Sequence, residues 1–421
     1  MTPRFRIAAR RAAFLPAAFL SVAVLSVAGS GCGGDPPPPA GRVVLIGVDA
    51  LDWSLLGPMI DAGELPALAR FRERGVHGTL RSLEPRAEPA ALWTTAVTGK
   101  SPDRHGVHTA RRDGPPRTAR PLWSILRGLD RGTGVVGWPR TIPAEPGPGF
   151  FVSDFVSADT PDSTLDPSGG GLVAPPSLAP LVASFDPPLD GRTLASLFRG
   201  TTRQAPLPAA PAAAAPVFRN ALRADLWLTN SLLNLARTVP CDLLAVRLPG
   251  AGAVSRAFWN YTVPERFPPG ALDPEHAGEL AGAVPLYYRV LDRLLEPLLA
   301  EAGESTTVIL FSAYGFEGGL ESGPAGQGLD GVFLLGGRGA ARGEISGASL
   351  YDVAPTVLVL LGLPPAEDMR GKVLWPALRG IPEERFAAPI PTYESGSDSA
   401  AGGNPMDDAV KERLRSLGYI D

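Results

Sequence analysis

Residues 42–53 read Arg-Val-Val-Leu-Ile-Gly-Val-Asp-Ala-Leu-Asp-Trp. A short, almost continuously apolar run rich in β-branched residues, Arg42 to Val48, predicts a strand buried on both faces. Asp49 follows it directly. Pro58 to Arg74 then carries Ile60, Leu65, Leu68 and Phe71 at helical spacing, and Gly75 terminates it. The same alternation recurs downstream. Val135 to Trp138, Asp242 to Leu248, Thr307 to Phe311 and Val332 to Leu335 read as strands. Val217 to Arg237, Pro285 to Ala302 and Tyr351 to Leu361 read as helices. Strands alternating with helices predict an α/β domain with three layers, α/β/α, around a central, mostly parallel sheet.

Composition bounds the function. The 421 residues include 49 Gly and 46 Pro, yet 44% are hydrophobic, enough for a core with long Pro/Gly-rich loops. Two cysteines exclude a disulfide scaffold and a Cys-rich zinc module. Lysine occurs only at 100, 372 and 411, which leaves few amines for Schiff-base chemistry. Four histidines, His77, His105, His108 and His276, are the entire imidazole supply for metal binding or general-base work.

The ends of the chain carry their own signals. Arg4, Arg6, Arg10 and Arg11 precede an apolar stretch from Ala12 to Ala28, and Gly29-Ser30-Gly31 lead to Cys32. Residues 1–31 therefore read as a signal peptide. The small residues before Cys32 resemble a bacterial lipobox, which makes Cys32 the expected lipidation site and the bacterial cell envelope the expected location. Secretion without lipid and an uncleaved anchor are the competing readings. Residues 32–41 form a Gly/Pro tether, and 42–394 the α/β domain, with loop-rich insertions near 158–192 and 204–216. Residues 395–421 are a linker and a C-terminal helix, Lys411 to Tyr419, expected to dock on the domain. Removing the leader takes away four arginines and no acid, leaving 35 basic against 43 acidic side chains. That negative balance, without a basic stripe interleaved with aromatics, argues against nucleic acid as a partner. Cys241, at the head of an apolar run, reads as a structural thiol.

Several segments, taken in order, resemble the type I phosphodiesterase/nucleotide pyrophosphatase branch of the alkaline phosphatase superfamily. They are Val43 to Trp53, Trp93 to Val107 (WTTAVTGKSPDRHGV), Val136 to Glu145, Arg256 to Tyr261, Thr306 to Phe316, Asp330 to Gly337 and Ser349 to Pro364. The resemblance spans roughly residues 42 to 420 and implies an alkaline phosphatase-like fold. It also implies a site with two zinc or other divalent ions about 4 Å apart clamping the phosphoryl oxygens. Three Asp and three His ligands would hold the ions, around a Thr or Ser nucleophile activated by the metal.

Carried over position by position, this machinery is mostly missing. Asp49 occupies the first ligand position. Counting back from Trp93 and from Gly99 places the nucleophile at Pro89, which has no side-chain oxygen. Counting back from Phe258-Trp259 places Gly252 at a ligand Asp and Arg256 at a ligand His. The family's Ser-Asp-His-Gly-Phe is here Ser312-Ala313-Tyr314-Gly315-Phe316, and the last His falls on Gln327. All four histidines precede Ala277, so no shift of register recovers the late ligands. His105 matches the family's His-Gly turn, His77 reads as a turn after the first helix, and His108 and His276 read as solvated.

The leading expectation is a pseudo-hydrolase that has kept the fold and lost catalysis, with no cofactor and a binding or scaffold role. Its partners would be the membrane, through a lipid on Cys32, and a protein or small molecule that the sequence does not name. The competing expectation is a metal-dependent phosphoric ester hydrolase with a rebuilt carboxylate site. Asp49, Asp52, Glu88, Glu317, Glu321 and Asp330 would supply the oxygens, with Thr94 or Ser255 as nucleophile. Losing the metals would strand the Asp49 charge, so Arg256 is expected to bring its guanidinium there, directly or through one water.

Overall fold

The structure is a computed structural model. It describes residues 41–110, 116–155, 170–187, 189, 211–267, 272–316, 328–394, 406 and 408–420. The leader, Cys32 and the tether, the linker at 395–405, and Glu317, Glu321 and Gln327 lie outside the described residues.

Strands β1 (Arg42–Val48), β2 (Val76–Arg81), β3 (Thr133–Val136), β4 (Gly149–Val152), β5 (Val173–Ala174), β6 (Leu243–Leu248), β7 (Thr306–Phe311), β8 (Asp330–Gly337) and β9 (Gly343–Ser349) form one sheet. Its order is β5-β4-β3-β6-β1-β7-β8-β2-β9. β1 lies in the middle, parallel to β6 on one side and to β7 on the other. β8 runs antiparallel to both β7 and β2, and β5 antiparallel to β4. The expected fold is thus present: a three-layer α/β/α domain whose sheet is mostly parallel. Val43 to Ile46 and all of β7 are buried, as a strand covered on both faces requires.

The predicted helix from Pro58 to Arg74 is two helices, α1 (Trp53–Asp61) and α2 (Pro66–Arg74). Gly63, at φ 74°, turns the chain between them, and Pro66 restarts it at the first helical position. Leu65 offers no side-chain cap to α2. The buried Asp292 carboxylate supplies one instead, accepting from Ala67 N at 3.1 Å and Leu68 N at 2.8 Å.

The remaining helices that position the site are α3 (Pro89–Thr98), α4 (Leu122–Gly128), α5 (Ala215–Ala236), α6 (Gly250–Thr262), α7 (Ala283–Leu299), α8 (Val353–Leu360) and α9 (Asp408–Ser416). α9 docks as expected: Leu414 is fully buried, and the Tyr419 hydroxyl donates to Arg385 O. No helix among the described residues is long and apolar enough to cross a membrane.

Other expectations change. His77 is in β2, not in a turn, with its ring against Trp53 and its Nδ1 buried without a partner among the described residues. The first insertion is not purely loop, because it holds β5 and a helical turn at Ala179–Ala183 with Val182 buried. The Ala/Pro tract ends in a 3-10 turn, Ala212–Ala214, that leads into α5 and buries Ala214. Cys241 is half-buried, and burial pushes its thiol up to about 12, as an inert structural thiol would be.

Candidate functional site

Asp49 stands at the C-terminal end of β1, where ligands bind in open α/β sheets. It is 1% exposed, and three donors fill its carboxylate. Trp93 Nε1 donates to Oδ1 at 2.9 Å, Arg247 Nε to Oδ1 at 3.0 Å, and Arg247 Nη2 to Oδ2. The arrangement follows from the strands. Gly47 pairs in register with Arg247, and Gly47 and Asp49 share one face of β1. Gly47 is also the position where a side chain is forbidden, since a Cβ there would stand 2.6 Å from the Trp93 ring. Burial opposes the charge of Arg247, but the Asp49 carboxylate more than offsets it and holds the guanidinium protonated.

The sequence pointed to Arg256 as the cation at Asp49, and the structure gives the direct contact to Arg247. Arg256 lies on α6 with an exposed side chain. Its Nη1 and Asp49 Oδ2 each lie 3.3 Å from the point a Cβ on Gly252 would occupy. Arg256 therefore borders the same space as a second cation. The signal for Arg247 was present as a lone charge inside Leu-Leu-Ala-Val-Arg-Leu, a strand apolar everywhere else. A guanidinium in such a strand needs a buried acid.

The other assigned positions surround this pair unequally. Gly252 lies in the first turn of α6, and a Cβ there would come within 2.7 Å of Asp49 Cβ. Ala313 and Tyr314 follow β7 and are buried. The Tyr314 hydroxyl is buried beside Asp49. Burial, then the Asp49 charge, raises its pKa far above the ordinary tyrosine value. Pro89 is the first residue of α3, one turn before Trp93. Asp154 and Asp225 complete the buried polar neighbourhood. Burial raises the pKa of both, to about 7 for Asp225, which accepts from Tyr287 Oη at 2.8 Å and Gly250 N at 3.0 Å.

The carboxylates of the competing expectation are engaged separately. Asp52 caps α1 through Ser54 N at 2.7 Å and accepts from Phe316 N at 3.1 Å. Glu88 accepts from Ala110 N, and Asp330 pairs with Arg81 at 3.0 Å. Thr94 Oγ1 donates back to Ala90 O at 2.7 Å within α3, so its hydroxyl is committed to its own helix. Ser255 Oγ is buried and without a partner among the described residues.

The histidines stand away from metal chemistry. His105 is fully buried, accepting from Val107 N at Nδ1 and lying 3.0 Å from Thr95 Oγ1 at Nε2. Burial pushes its pKa down to about 3, so it is neutral. His276 pairs with Asp273, and His108 is exposed.

The two divalent ions that the fold family implies do not fit these residues. Both Asp49 oxygens already accept N–H donors, and a guanidinium stands where a cation would approach. Among the described residues no three His, Cys, Asp or Glu side chains converge as a metal-holding group.

Residues 43–322 match the family described as type I phosphodiesterase / nucleotide pyrophosphatase. Among solved structures the chain is similar to a 2-O GAG sulfatase, with 12% identity over 82% of this chain and 75% of that one, at a TM-score of 0.51. It is also similar to a phosphonate monoester hydrolase from Silicibacter pomeroyi, with 15% identity over 81% and 77% of the two chains, at a TM-score of 0.48. At these identities the likeness is one of fold. No curated protein matches the sequence.

Proposed function

We propose that this chain, which belongs to the type I phosphodiesterase/nucleotide pyrophosphatase family, is a pseudo-hydrolase of the bacterial cell envelope, tethered through a lipid on Cys32. One observation carries the reading: the Arg247 guanidinium occupies both oxygens of Asp49, the single retained ligand position. Metal-assisted phosphoryl transfer needs open coordination positions and an activated nucleophile. Here the ligand is held by a protein cation, and the nucleophile position, Pro89, opens α3 without a hydroxyl.

The role that remains is recognition of a protein or a small molecule at the old cleft. Arg256 borders that cleft beside the Asp49–Arg247 pair. Asp52, Glu88 and Asp330, three of the carboxylates of the rebuilt-site reading, are each engaged in separate structural contacts, which favours the pseudo-hydrolase reading.

The test is turnover of phosphodiester, phosphomonoester and sulfate ester substrates by the purified chain, with zinc, manganese, magnesium or calcium supplied. The reading predicts rates at the uncatalysed background with every metal. Saturable hydrolysis that is lost in an Asp49→Asn variant would overturn it. Mass spectrometry of the N-terminal peptide tests the anchor separately, with a diacylglyceryl group on Cys32 as the expected result.

A further inference from the structure

At the end of the sheet opposite Asp49, a cavity of about 700 Å³ opens among α2, the C-terminal end of α7 with the residues that follow it, and the C-terminal end of β8. Its size is that of a small-molecule site. Four arginines line it: Arg70, Arg74, Arg338 and Arg342. Arg70 is paired with Glu296 at 2.7 Å. Arg74, Arg338 and Arg342 meet no acid at ion-pair distance among the described residues. Two acids, Glu296 and Glu304, share the lining, so the cavity keeps a positive excess. Its floor is partly apolar, with Phe71 and Leu299. Uncompensated guanidinium groups over an apolar floor suit a ligand with a phosphate and a hydrocarbon portion.

The position of the cavity indicates where that ligand comes from. Gly41, the first described residue, lies against Arg338: a Cβ on Gly41 would stand 3.1 Å from Arg338 Nη1. Cys32 precedes Gly41 by nine residues, so even a fully extended tether reaches no more than about 30 Å. β1 then carries the chain about 20 Å away from the cavity to Asp49. A membrane holding Cys32 would therefore lie within reach of the arginine-lined end, which is nearer the tether than the cleft is.

We propose that this cavity binds the phosphate headgroup of an anionic phospholipid in the membrane that the tether reaches. The site is distinct from the cleft of the proposed function and rests on that reading only for the anchor that supplies the membrane. Bound there, the headgroup fixes the orientation of the domain, which a tether of nine residues alone leaves free.

The test uses the full chain in uncharged detergent micelles. It is titrated by calorimetry with short-chain phosphatidylglycerol, with short-chain phosphatidylcholine and with inorganic phosphate. Phosphatidylglycerol is expected to bind saturably and to weaken with added salt, and phosphatidylcholine not to bind. A triple variant, Arg74→Gln, Arg338→Gln and Arg342→Gln, is expected to bind about a hundredfold more weakly with an unchanged unfolding midpoint. Arg413→Gln, on α9, is the control and should bind as wild type. Equal affinity for the two lipids, or no difference between wild type and the triple variant, would overturn the proposal. Inorganic phosphate binding as tightly as phosphatidylglycerol would overturn the lipid assignment and leave a free-anion site. Because the binding is measured in micelles, it is read whether or not Cys32 is acylated.

Discussion

The guanidinium of Arg247 lies side-on to the carboxylate of Asp49, with Nε 3.0 Å from Oδ1 and Nη2 on Oδ2. Two neighbouring parallel strands, β6 and β1, supply one partner each, so the pair is set by sheet register and not by a flexible loop. Asp49 is almost wholly buried and the Arg247 side chain is 18% exposed, so water screens the pair poorly from the Asp49 side. In this family member a fixed protein cation stands where the resemblance implies a metal ion.

Removing one partner of such a pair leaves the other charged and desolvated. Arg247→Met is expected to destabilise the fold by about 3–5 kcal/mol in urea unfolding. Asp49→Asn combined with Arg247→Met should recover most of that loss, since no buried charge remains. A double variant as unstable as the single one would show that the arginine acts through packing alone.

Two buried carboxyls give the stability a pH signature. Burial raises Asp225 to about 7 and Asp292 to about 6 in the folded chain, from an unfolded value of 3.8. The folded state holds these protons more tightly, so both groups favour folding least at high pH. Their contribution falls as pH rises from about 4 to about 7 and is constant above that. Asp225→Asn should flatten this fall, seen as a smaller pH dependence of the unfolding midpoint than in wild type. An identical pH profile in the two proteins would contradict the assignment.

His105 predicts the opposite slope. Burial depresses it to about 3, so the folded chain resists its protonation while the unfolded chain does not. Stability from this group is complete above about 6.5 and is lost as pH falls toward 3. Nitrogen chemical shifts of the His105 ring should show a neutral imidazole protonated at Nε2, because Nδ1 accepts from Val107 N. A titration near 6.5 in the folded chain would refute this.

Most of the fold was legible in the sequence because buried parallel strands announce themselves. β1, β6 and β7 are near-continuous apolar runs, and each was placed to within a residue or two. β5 has two residues and β9 is a largely exposed strand with two glycines, so neither carries a hydrophobic pattern to read. β2 does alternate buried and open positions, but Gly78 and His77 interrupt the apolar signal. At the site, counting back from Phe258 pointed to Gly252 and Arg256, and both lie beside Asp49. The partner of Asp49 was missed because Arg247 is 198 residues away, and only the β1–β6 register brings the two together. Arg256, to which the sequence pointed, borders the same space, and the strand residue Arg247 donates to both carboxylate oxygens.

Restoring late ligands should not restore chemistry. Ala313→Asp with Tyr314→His would return a carboxylate and an imidazole after β7, while Pro89 still offers no nucleophile and Arg247 still holds Asp49. The double variant is expected to show no phosphodiester turnover with added zinc. Activity above background would mean that a hydroxyl elsewhere, such as Ser255, serves as nucleophile.

The most direct measurement is the zinc content of the purified chain after equilibrium dialysis against zinc, with surface-bound metal removed by a weak chelator. With the Arg247 guanidinium on both oxygens of Asp49, the expected result is metal far below one ion per chain. Two retained zinc ions per chain, lost on Asp49→Asn substitution, would contradict the account.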